Sequence, residues 1–133
     1  MDRLVEVELA RIIINETSDQ QYIFLREKGG QRQFPIVIST FEAAAIDRYV
    51  KEAETPRPLT HELLHRVIEK LGCKVLRIEV TKLEEGTFYA NLVLGGPDGE
   101  VPVDARPSDA VAIAVRNHCP IFVNEDVIEE VVF

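Results

Sequence analysis

The amino-acid sequence predicts an α+β fold, in which two antiparallel or mixed strand meanders are separated and flanked by helices. Two groups of three β-rich runs are each joined by short turns, and segments with helical spacing of apolar residues lie between and after them. The predicted order of elements is βββ-αα-βββ-α-β-α. Because strands joined by tight turns pair antiparallel, this order disfavours a doubly wound parallel sheet.

The first meander occupies the first third of the chain. Residues 4–14 begin with alternating apolar and polar side chains and become continuously apolar, which is the pattern of a long strand. Two shorter β-rich runs follow at residues 22–25 and 34–38. The adjacent glycines within residues 27–31 predict the hairpin turn that joins them.

Two helices are predicted between the meanders. Ser39, Thr40 and Glu42 match a capping box, so the first helix begins there and extends to about Ala53. The prolines at residues 56 and 58 end it, and Thr60 is the predicted N-cap of the second helix. Apolar residues share one face of this second helix, which Gly72 ends: Leu63, Leu64, Val67, Ile68 and Leu71.

A second meander follows at residues 74–80, 87–94 and 101–105, with glycine-containing turns between the runs. Pro107 suits the first turn of a third helix, which makes Arg106 its N-cap, and Pro120 ends this helix. A short strand is predicted at residues 121–123. Asn124 then caps a final short helix.

Length and composition restrict the class of protein. A chain of 133 residues suits one domain, here residues 1–133, and its apolar and charged fractions are those of a globular protein. We expect no membrane span and no signal peptide. Cys73 and Cys119 form no metal-like pair, which favours a reduced, cytoplasmic protein. The net charge of −8 argues against non-specific binding to a phosphate backbone, although a small basic site on an acidic body is compatible with it.

The segment His61-Glu62-Leu63-Leu64-His65 matches the H-E-x-x-H pattern of zinc hydrolases. In that pattern two histidines one helical turn apart bind Zn²⁺ and the glutamate activates a water. The context is poor, because His61 falls in the first helical turn and no third ligand stands at a recognisable spacing. Chance occurrence is the favoured interpretation. Under this interpretation, His61 and His65 flank the apolar face of the second helix and face water.

A charged cluster at residues 104–109 precedes the apolar run of the third helix. Asp104, Arg106 and Asp109 either form a working site or only secure the corner between strand and helix. An acidic residue in the first turn stabilises the helix dipole, and Arg106 is placed to pair with either carboxylate. Ser108 can cap the same end. By the same reasoning Arg57 would pair with Glu62.

Two segments together resemble the bifunctional nuclease family. They are Arg57-Pro58-Leu59-Thr60-His61-Glu62-Leu63-Leu64 and Asp104-Ala105-Arg106-Pro107-Ser108-Asp109-Ala110-Val111-Ala112. The resemblance covers nearly the whole chain. It implies an α+β fold, cleavage of both DNA and RNA, and a stand-alone bacterial-type domain that dimerises.

Chemical roles follow for the matched residues. Phosphodiester hydrolysis needs stabilisation of the charge on the phosphate, an activated water and a protonated leaving group. His61, Asp104 and Asp109 are the candidate catalytic residues, and the two aspartates could hold Mg²⁺ or Mn²⁺. Arg57, Arg106 and Ser108 are the candidate substrate-binding residues.

Three functions are therefore compared. The leading hypothesis is a nuclease that acts on DNA or RNA with help from a divalent metal. The second is a non-catalytic ligand-binding or protein-interaction domain, in which the same residues only buttress a helix corner. The weakest is a small zinc hydrolase that uses His61, Glu62 and His65.

Overall fold

Seven strands and four helices form within residues 3–132, the part of the chain that the computed structural model describes. Their order is the predicted βββ-αα-βββ-α-β-α. The elements are β1 (Leu4–Ile13), β2 (Gln20–Glu27), β3 (Gln33–Ser39), α1 (Thr40–Val50), α2 (Thr60–Lys70), β4 (Lys74–Glu84), β5 (Thr87–Gly96), β6 (Gly99–Ala105), α3 (Pro107–Asn117), β7 (Ile121–Asn124) and α4 (Glu125–Val131).

The two meanders join into one seven-stranded sheet. Its strand order is β3-β2-β1-β7-β4-β5-β6, so the short strand β7 lies between the two meanders. β7 pairs antiparallel with β1 and parallel with β4, and the remaining neighbours are antiparallel. The α+β class and the mixed sheet predicted from the sequence are therefore confirmed.

The sheet curls strongly around its apolar face. Phe34 on β3 and Phe88 on β5 stack with ring centroids 6.0 Å apart, although four strands separate β3 from β5 in the sheet. Alternate residues of β3 (Phe34, Ile36 and Ile38) are buried on this inner face. Because side chains alternate along a strand, the intervening residues of β3 point to the exposed outer face.

Helix α3 lies at the centre of the core. Seven of its eleven residues are buried, including the whole run from Ala110 to Ala114. α1 packs beside it with both helices beginning at the same end, since Glu42 approaches Arg106 and Ser108 while Tyr49 lies near Ala114. Because most of α3 is buried, packing holds the backbone of its first turn in place.

Helix α2 covers the core with much less of its surface. Ile68 is its one buried residue, and the other apolar positions of its predicted stripe are exposed. Most of the apolar face that the sequence predicts for this helix therefore lies at the surface. No helix within residues 3–132 is long and apolar enough to cross a membrane.

The helix ends refine the sequence predictions. α1 ends at Val50 rather than near Ala53, because Glu52 takes a left-handed conformation (φ 54°). The backbone N–H of Glu52 then donates to the Tyr49 carbonyl, and that of Ala53 donates to the Arg48 carbonyl. α2 has Leu59 as its N-cap, with Thr60 already helical, so the predicted cap moves by one residue.

The N-cap residues predicted for the other three helices are found at those positions. Ser39 is the N-cap of α1, but its side chain makes no capping bond. Arg106 is the N-cap of α3, with Pro107 first in the helix, as predicted. Asn124 caps α4 by accepting a hydrogen bond from the backbone N–H of Asp126 at 3.1 Å.

Candidate functional site

The start of α3 carries the densest cluster of interacting polar side chains that the sequence singled out. Arg106 donates from Nε to Asp109 Oδ2 at 2.8 Å, across the first turn of the helix. The pKa of the Asp109 carboxyl is affected first by burial, which raises it. Hydrogen bonds from Arg106 and His61 outweigh burial, so the pKa of Asp109 falls below its usual value. Asp109 is therefore an ionised carboxylate at neutral pH.

His61 of α2 contacts the other oxygen of the same carboxylate. Its Nε2 lies 3.0 Å from Asp109 Oδ1, and the imidazole is largely buried. Because an ionised carboxylate only accepts hydrogen bonds, Nε2 carries the hydrogen and donates it. In neutral His61 the lone pair then lies on Nδ1. Asp109 thus fixes the tautomer and the orientation of His61, and the expectation that His61 faces water is wrong.

Glu42 of α1 is a site residue that sequence reasoning did not identify. It accepts a hydrogen bond from Ser108 Oγ at 3.3 Å and lies 3.5 Å from Arg106 Nη1. Its side chain is 12 % exposed, so the carboxylate is a buried member of the cluster. The sequence did offer a signal, since Glu42 is the last residue of a capping-box pattern and the third residue of the helix. That pattern, however, explained Glu42 by helix capping alone.

Ser108 lies at the same helix start and is 5 % exposed. Its hydroxyl is used by Glu42, and it does not cap α3. The Arg106 side chain, in contrast, is 67 % exposed, although it pairs with the carboxylates of Glu42 and Asp109. Of the predicted substrate-binding residues at this helix start, Arg106 is the one with an exposed cation.

Tyr49 of α1 packs against the His61 ring. The two rings meet edge to face with centroids 6.2 Å apart, and Tyr49 is 4 % exposed. Burial, followed by the charge of Glu62, raises the pKa of the Tyr49 hydroxyl. Tyr49 therefore stays neutral and restricts the His61 ring, a role for which the sequence showed only an aromatic residue at the end of a helix.

Asp104 lies apart from these groups. It sits opposite Asn91 in the pairing of β6 with β5, whereas Val103 and Ala105 lie opposite the buried Leu92 and Ala90. By strand alternation the Asp104 side chain points to the outer face of the sheet, away from the helices. Within residues 3–132 Asp104 takes part in no hydrogen bond or ion pair through its side chain.

Arg57 and His65 also lie outside the cluster. Arg57 is exposed in the segment before α2, and its side chain has no ion-pair partner within the described part of the chain. Glu62 pairs instead with Arg116, at 3.7 Å. His65 lies 3.6 Å from Glu69 on its own helix. The Arg57–Glu62 pair expected from the sequence is therefore replaced by a pair between α2 and α3.

The donor groups do not form a metal site as they stand. Both oxygens of Asp109 are engaged, one by Arg106 and one by His61, and Asp104 faces the other side of the sheet. No group of three or more His, Cys, Asp or Glu side chains with suitable spacing exists within residues 3–132, at the H-E-x-x-H segment or elsewhere. A hard divalent cation needs several free oxygen ligands, and a positive Arg106 on the same carboxylate opposes it.

The arrangement joins a charge that can hold a phosphate to a group that can move a proton. Arg106 presents its guanidinium to solvent, and His61 is held in one tautomer by Asp109. A groove of about 390 Å³ borders the cluster between β3 and β5, and Glu42, Arg106 and Ser108 line one of its walls. This combination suits a phosphate ester better than an uncharged substrate.

The chain is similar to several known proteins. A protein from Mycobacterium tuberculosis that is described as uncharacterised is 42 % identical over 125 residues, which cover 94 % of this chain and 74 % of the relative. Bifunctional nuclease 2 of Oryza sativa subsp. japonica is 30 % identical over 115 residues, covering 84 % of this chain and 35 % of the rice protein. Bifunctional nuclease 1 of Arabidopsis thaliana is 30 % identical over 102 residues, which cover 74 % of this chain and 31 % of the plant protein. This chain thus spans about a third of the plant relatives. The family model described as "Bifunctional nuclease domain" matches residues 23–133, and the chain belongs to that family.

Proposed function

We propose that this protein cleaves phosphodiester bonds of DNA or RNA at the cluster of His61, Asp109 and Arg106. The observation that carries the proposal is the His61–Asp109 hydrogen bond, which prepares one imidazole nitrogen for proton transfer beside an exposed guanidinium. Membership of the family and the names of the plant relatives support the same substrate class.

Each of the three residues has a distinct role in the proposal. Arg106 binds a phosphate oxygen and offsets charge that develops on it. His61 uses Nδ1 to take a proton from the attacking oxygen or to give one to the leaving oxygen. Asp109 does not react. It is a positioning residue that keeps Nε2 protonated and stabilises the imidazolium when it forms.

The acidic body of the protein is compatible with this site. With a net charge of −8, long-range attraction to a polyanion is absent, so binding must come from a few local cations. Arg106 and Arg57 are exposed cations near the first turns of α3 and α2. We therefore infer weak, short-range binding to flexible single strands rather than tight binding to duplex nucleic acid.

Divalent metal assistance is a separate proposal, first drawn from the sequence. It would require the Arg106–Asp109 pair to open, so that Asp109 could offer a free oxygen to Mg²⁺ or Mn²⁺. No step above passes through a metal.

A matched pair of histidine variants tests the proposed function. Purified wild-type protein is expected to degrade fluorescent single-stranded RNA or DNA, and His61→Ala is expected to remove the activity. His65→Ala is the control, because His65 lies on the same helix and pairs with Glu69 rather than with Asp109. Equal activity of wild-type protein and both variants would indicate a contaminating nuclease and refute the proposal.

We also infer that two copies of the protein associate through the exposed apolar face of α2. Leu63, Leu64 and Val67 of α2 are 54, 43 and 46 % exposed, and Leu71, its C-cap residue, is 75 % exposed. Four exposed large apolar residues on one short surface are unusual. The resemblance to a dimer-forming family supports a second copy as the partner.

Light scattering after size exclusion should give a dimer for the wild type and a monomer for the double variant Leu63→Glu/Val67→Glu. Val37→Glu, at an equally exposed valine of β3, should remain a dimer. A wild-type monomer would refute this inference.

A cytoplasmic location completes the proposal. Cys73 and Cys119 are free thiols, as a reducing compartment would keep them. Fractionation of the source cells with a tagged chain tests the location.

A further inference from the structure

The outer face of the first meander carries apolar side chains where a solvated sheet face is normally polar. On β2 the rings of Tyr22 and Phe24 alternate with the buried Ile23 and Leu25, so they point to the outer face and are partly exposed. The residues directly opposite these two rings on β1 and β3 complete one surface, the outer platform: Arg11, Ile13, Tyr22, Phe24, Pro35 and Val37.

The other half of the same sheet has the polar outer face that is typical of a solvated sheet. By the same alternation, the outward positions of β4 to β6 include charged and amide side chains: Arg77, Glu79, Lys82, Asn91 and Asp104. On the outer platform, in contrast, Ile13 and Val37 remain 40 and 53 % exposed. An exposed apolar patch confined to one half of a sheet indicates a surface that binds a partner.

Arg11 makes the outer platform suitable for an anion. Its guanidinium carbon lies 4.2 Å from the centroid of the Phe24 ring, over the face of that ring. The neighbouring outward carboxylate of β1, Glu8, is paired with Arg26 at 3.2 Å. Arg11 itself takes part in no ion pair within residues 3–132. The platform therefore presents a local positive charge on a protein of net charge −8.

Aromatic rings and a free arginine on one sheet face suit single-stranded nucleic acid. Unpaired bases stack on aromatic side chains, and guanidinium groups bind phosphate. Tyr22 and Phe24 are two residues apart on one strand, which is about 7 Å. A base on Tyr22 would therefore have an adjoining phosphate close to Arg11, which the Phe24 ring holds in place. A duplex offers no free base faces along its length, so the partner is a single strand.

A second copy of the chain fits the outer platform less well. In a two-fold interface the same patch of each copy meets itself, so the unpaired Arg11 of both copies would enter one interface. Like charges brought together in this way oppose association. The free cation therefore favours a polyanion over a second copy.

The outer platform is continuous with the groove beside the Arg106 cluster. Pro35 and Val37 line that groove together with Arg106. The same two residues lie directly opposite Phe24 and Tyr22 in the pairing of β3 with β2. Because neighbouring strands are about 5 Å apart, a bound chain that leaves Tyr22 has only β3 to cross before it enters the groove. It would then reach the exposed guanidinium of Arg106.

We propose that the outer platform binds single-stranded nucleic acid, with a base stacked on Tyr22 and a phosphate held by Arg11, and leads the strand across β3 to Arg106. For its purpose this proposal rests on the proposed nuclease function. Binding to the platform does not require cleavage, however, so the two proposals can fail separately.

Binding of a short labelled oligonucleotide tests the outer platform. Fluorescein-labelled oligothymidylate and oligouridylate of about ten nucleotides are titrated with protein, and Kd values come from fluorescence anisotropy. Every chain in this assay carries His61→Ala, so the probe is not cut at the proposed site. An abasic oligomer of the same length is expected to bind about tenfold more weakly, because it has no base to stack.

Tyr22→Val removes the stacking ring and keeps a residue that suits a strand. It is expected to raise Kd about tenfold. Tyr89→Val is the matched control, because Tyr89 is a tyrosine of the other half of the sheet, 37 % exposed, beside Glu84 and Glu85. It should leave Kd unchanged. Urea unfolding verifies that each variant is folded.

Arg11→Gln removes the phosphate contact. It is expected to raise Kd several-fold and to reduce the slope of log Kd against log salt concentration by about 0.7, the value for one contact with a single strand. Lys74→Gln is the control, because Lys74 is an exposed cation of β4 that has no ion pair within residues 3–132. It should leave both the Kd and the slope unchanged.

Val37→Glu is a further test that does not depend on the stability of Tyr22→Val. Val37 is exposed, so a glutamate is tolerated there, and its charge would lie between the outer platform and the groove. We expect Kd to rise about threefold, because a carboxylate at this position repels the strand.

The possible outcomes separate the two proposals. Weaker binding by Tyr22→Val, Arg11→Gln and Val37→Glu, with both controls unchanged, supports the outer platform. Unchanged Kd values in all three variants, or no detectable binding without them, overturns the platform and leaves the nuclease untouched. A dimer that dissociates in Val37→Glu at unchanged Kd also overturns it and assigns this face to a second copy. Binding at the platform without cleavage by the chain that keeps His61 would refute the nuclease and retain the platform.

Discussion

His61 and Asp109 are 48 residues apart in the sequence and are joined by a 3.0 Å hydrogen bond between the first turns of α2 and α3. Arg106 holds the second oxygen of the same carboxylate, so one aspartate links an imidazole to an exposed guanidinium. This link goes beyond a helix cap, because a cap satisfies only groups of its own helix, whereas Asp109 joins the first turns of two helices.

Asp109→Asn tests the link directly. We expect cleavage to fall by roughly 10- to 100-fold, because an asparagine no longer fixes the protonated Nε2 of His61 or the orientation of its ring. We expect a stability loss of about 1 kcal/mol, since Asp109 is one-third exposed and solvent screens its charge. Initial rates and urea unfolding give the two values.

Asp47→Asn is the matched control for that substitution. Asp47 is exposed to the same extent as Asp109 and pairs with Lys51 at 2.9 Å on α1, away from the cluster. Its replacement should leave the cleavage rate unchanged. Equal effects of the two substitutions on the rate would show that Asp109 has no special role.

The lowered pKa of Asp109 predicts how its contribution to stability varies with pH. The folded state favours the ionised carboxylate, so the contribution is complete above the unfolded-state pKa of about 3.9. It is lost as the pH falls through the lower pKa of the folded state. Urea unfolding at several pH values should therefore show wild-type protein and Asp109→Asn differing at neutral pH and converging in acid. A constant difference across the acid range would contradict the pKa shift.

Chelation of metal ions distinguishes the two forms of the nuclease proposal. Because Asp109 is engaged on both oxygens and Asp104 faces away, we expect cleavage to continue in excess EDTA. Rates are measured in EDTA and after addition of Mg²⁺ or Mn²⁺. Loss of activity in EDTA and its recovery with Mn²⁺ would instead show that the Arg106–Asp109 pair opens to bind a metal.

Ser108→Ala separates substrate binding from support of the cluster. Ser108 is buried and bonded to Glu42, so we expect its loss to lower stability by about 1 kcal/mol and to leave KM nearly unchanged. Arg106→Gln should raise KM, because this exposed cation is the one proposed to touch phosphate. A large rise of KM in Ser108→Ala at unchanged stability would return Ser108 to the substrate-binding residues.

Local patterns were enough to predict the elements and the class of the fold. Turn glycines, helix-breaking prolines and the periods of apolar residues are short-range properties, and they gave the order of strands and helices and the N-cap at Arg106. The same patterns did not predict that β7 would join the two meanders. Strand pairing across the chain depends on which surfaces pack together, and no local signal specifies it.

The residues of the candidate site show the same difference between local sequence patterns and long-range packing. The sequence by itself determined that an arginine, an aspartate and a histidine stand at the first turns of two helices, because caps and prolines place them there. Only the tertiary structure decided which of them meet. Burial of α3 against α1 and α2 brings His61 to Asp109, Glu42 to Arg106 and Tyr49 to His61. Alternation along β6 turns Asp104 to the other face of the sheet. Contacts between side chains distant in sequence follow from how whole surfaces pack, and a one-dimensional pattern does not contain that information.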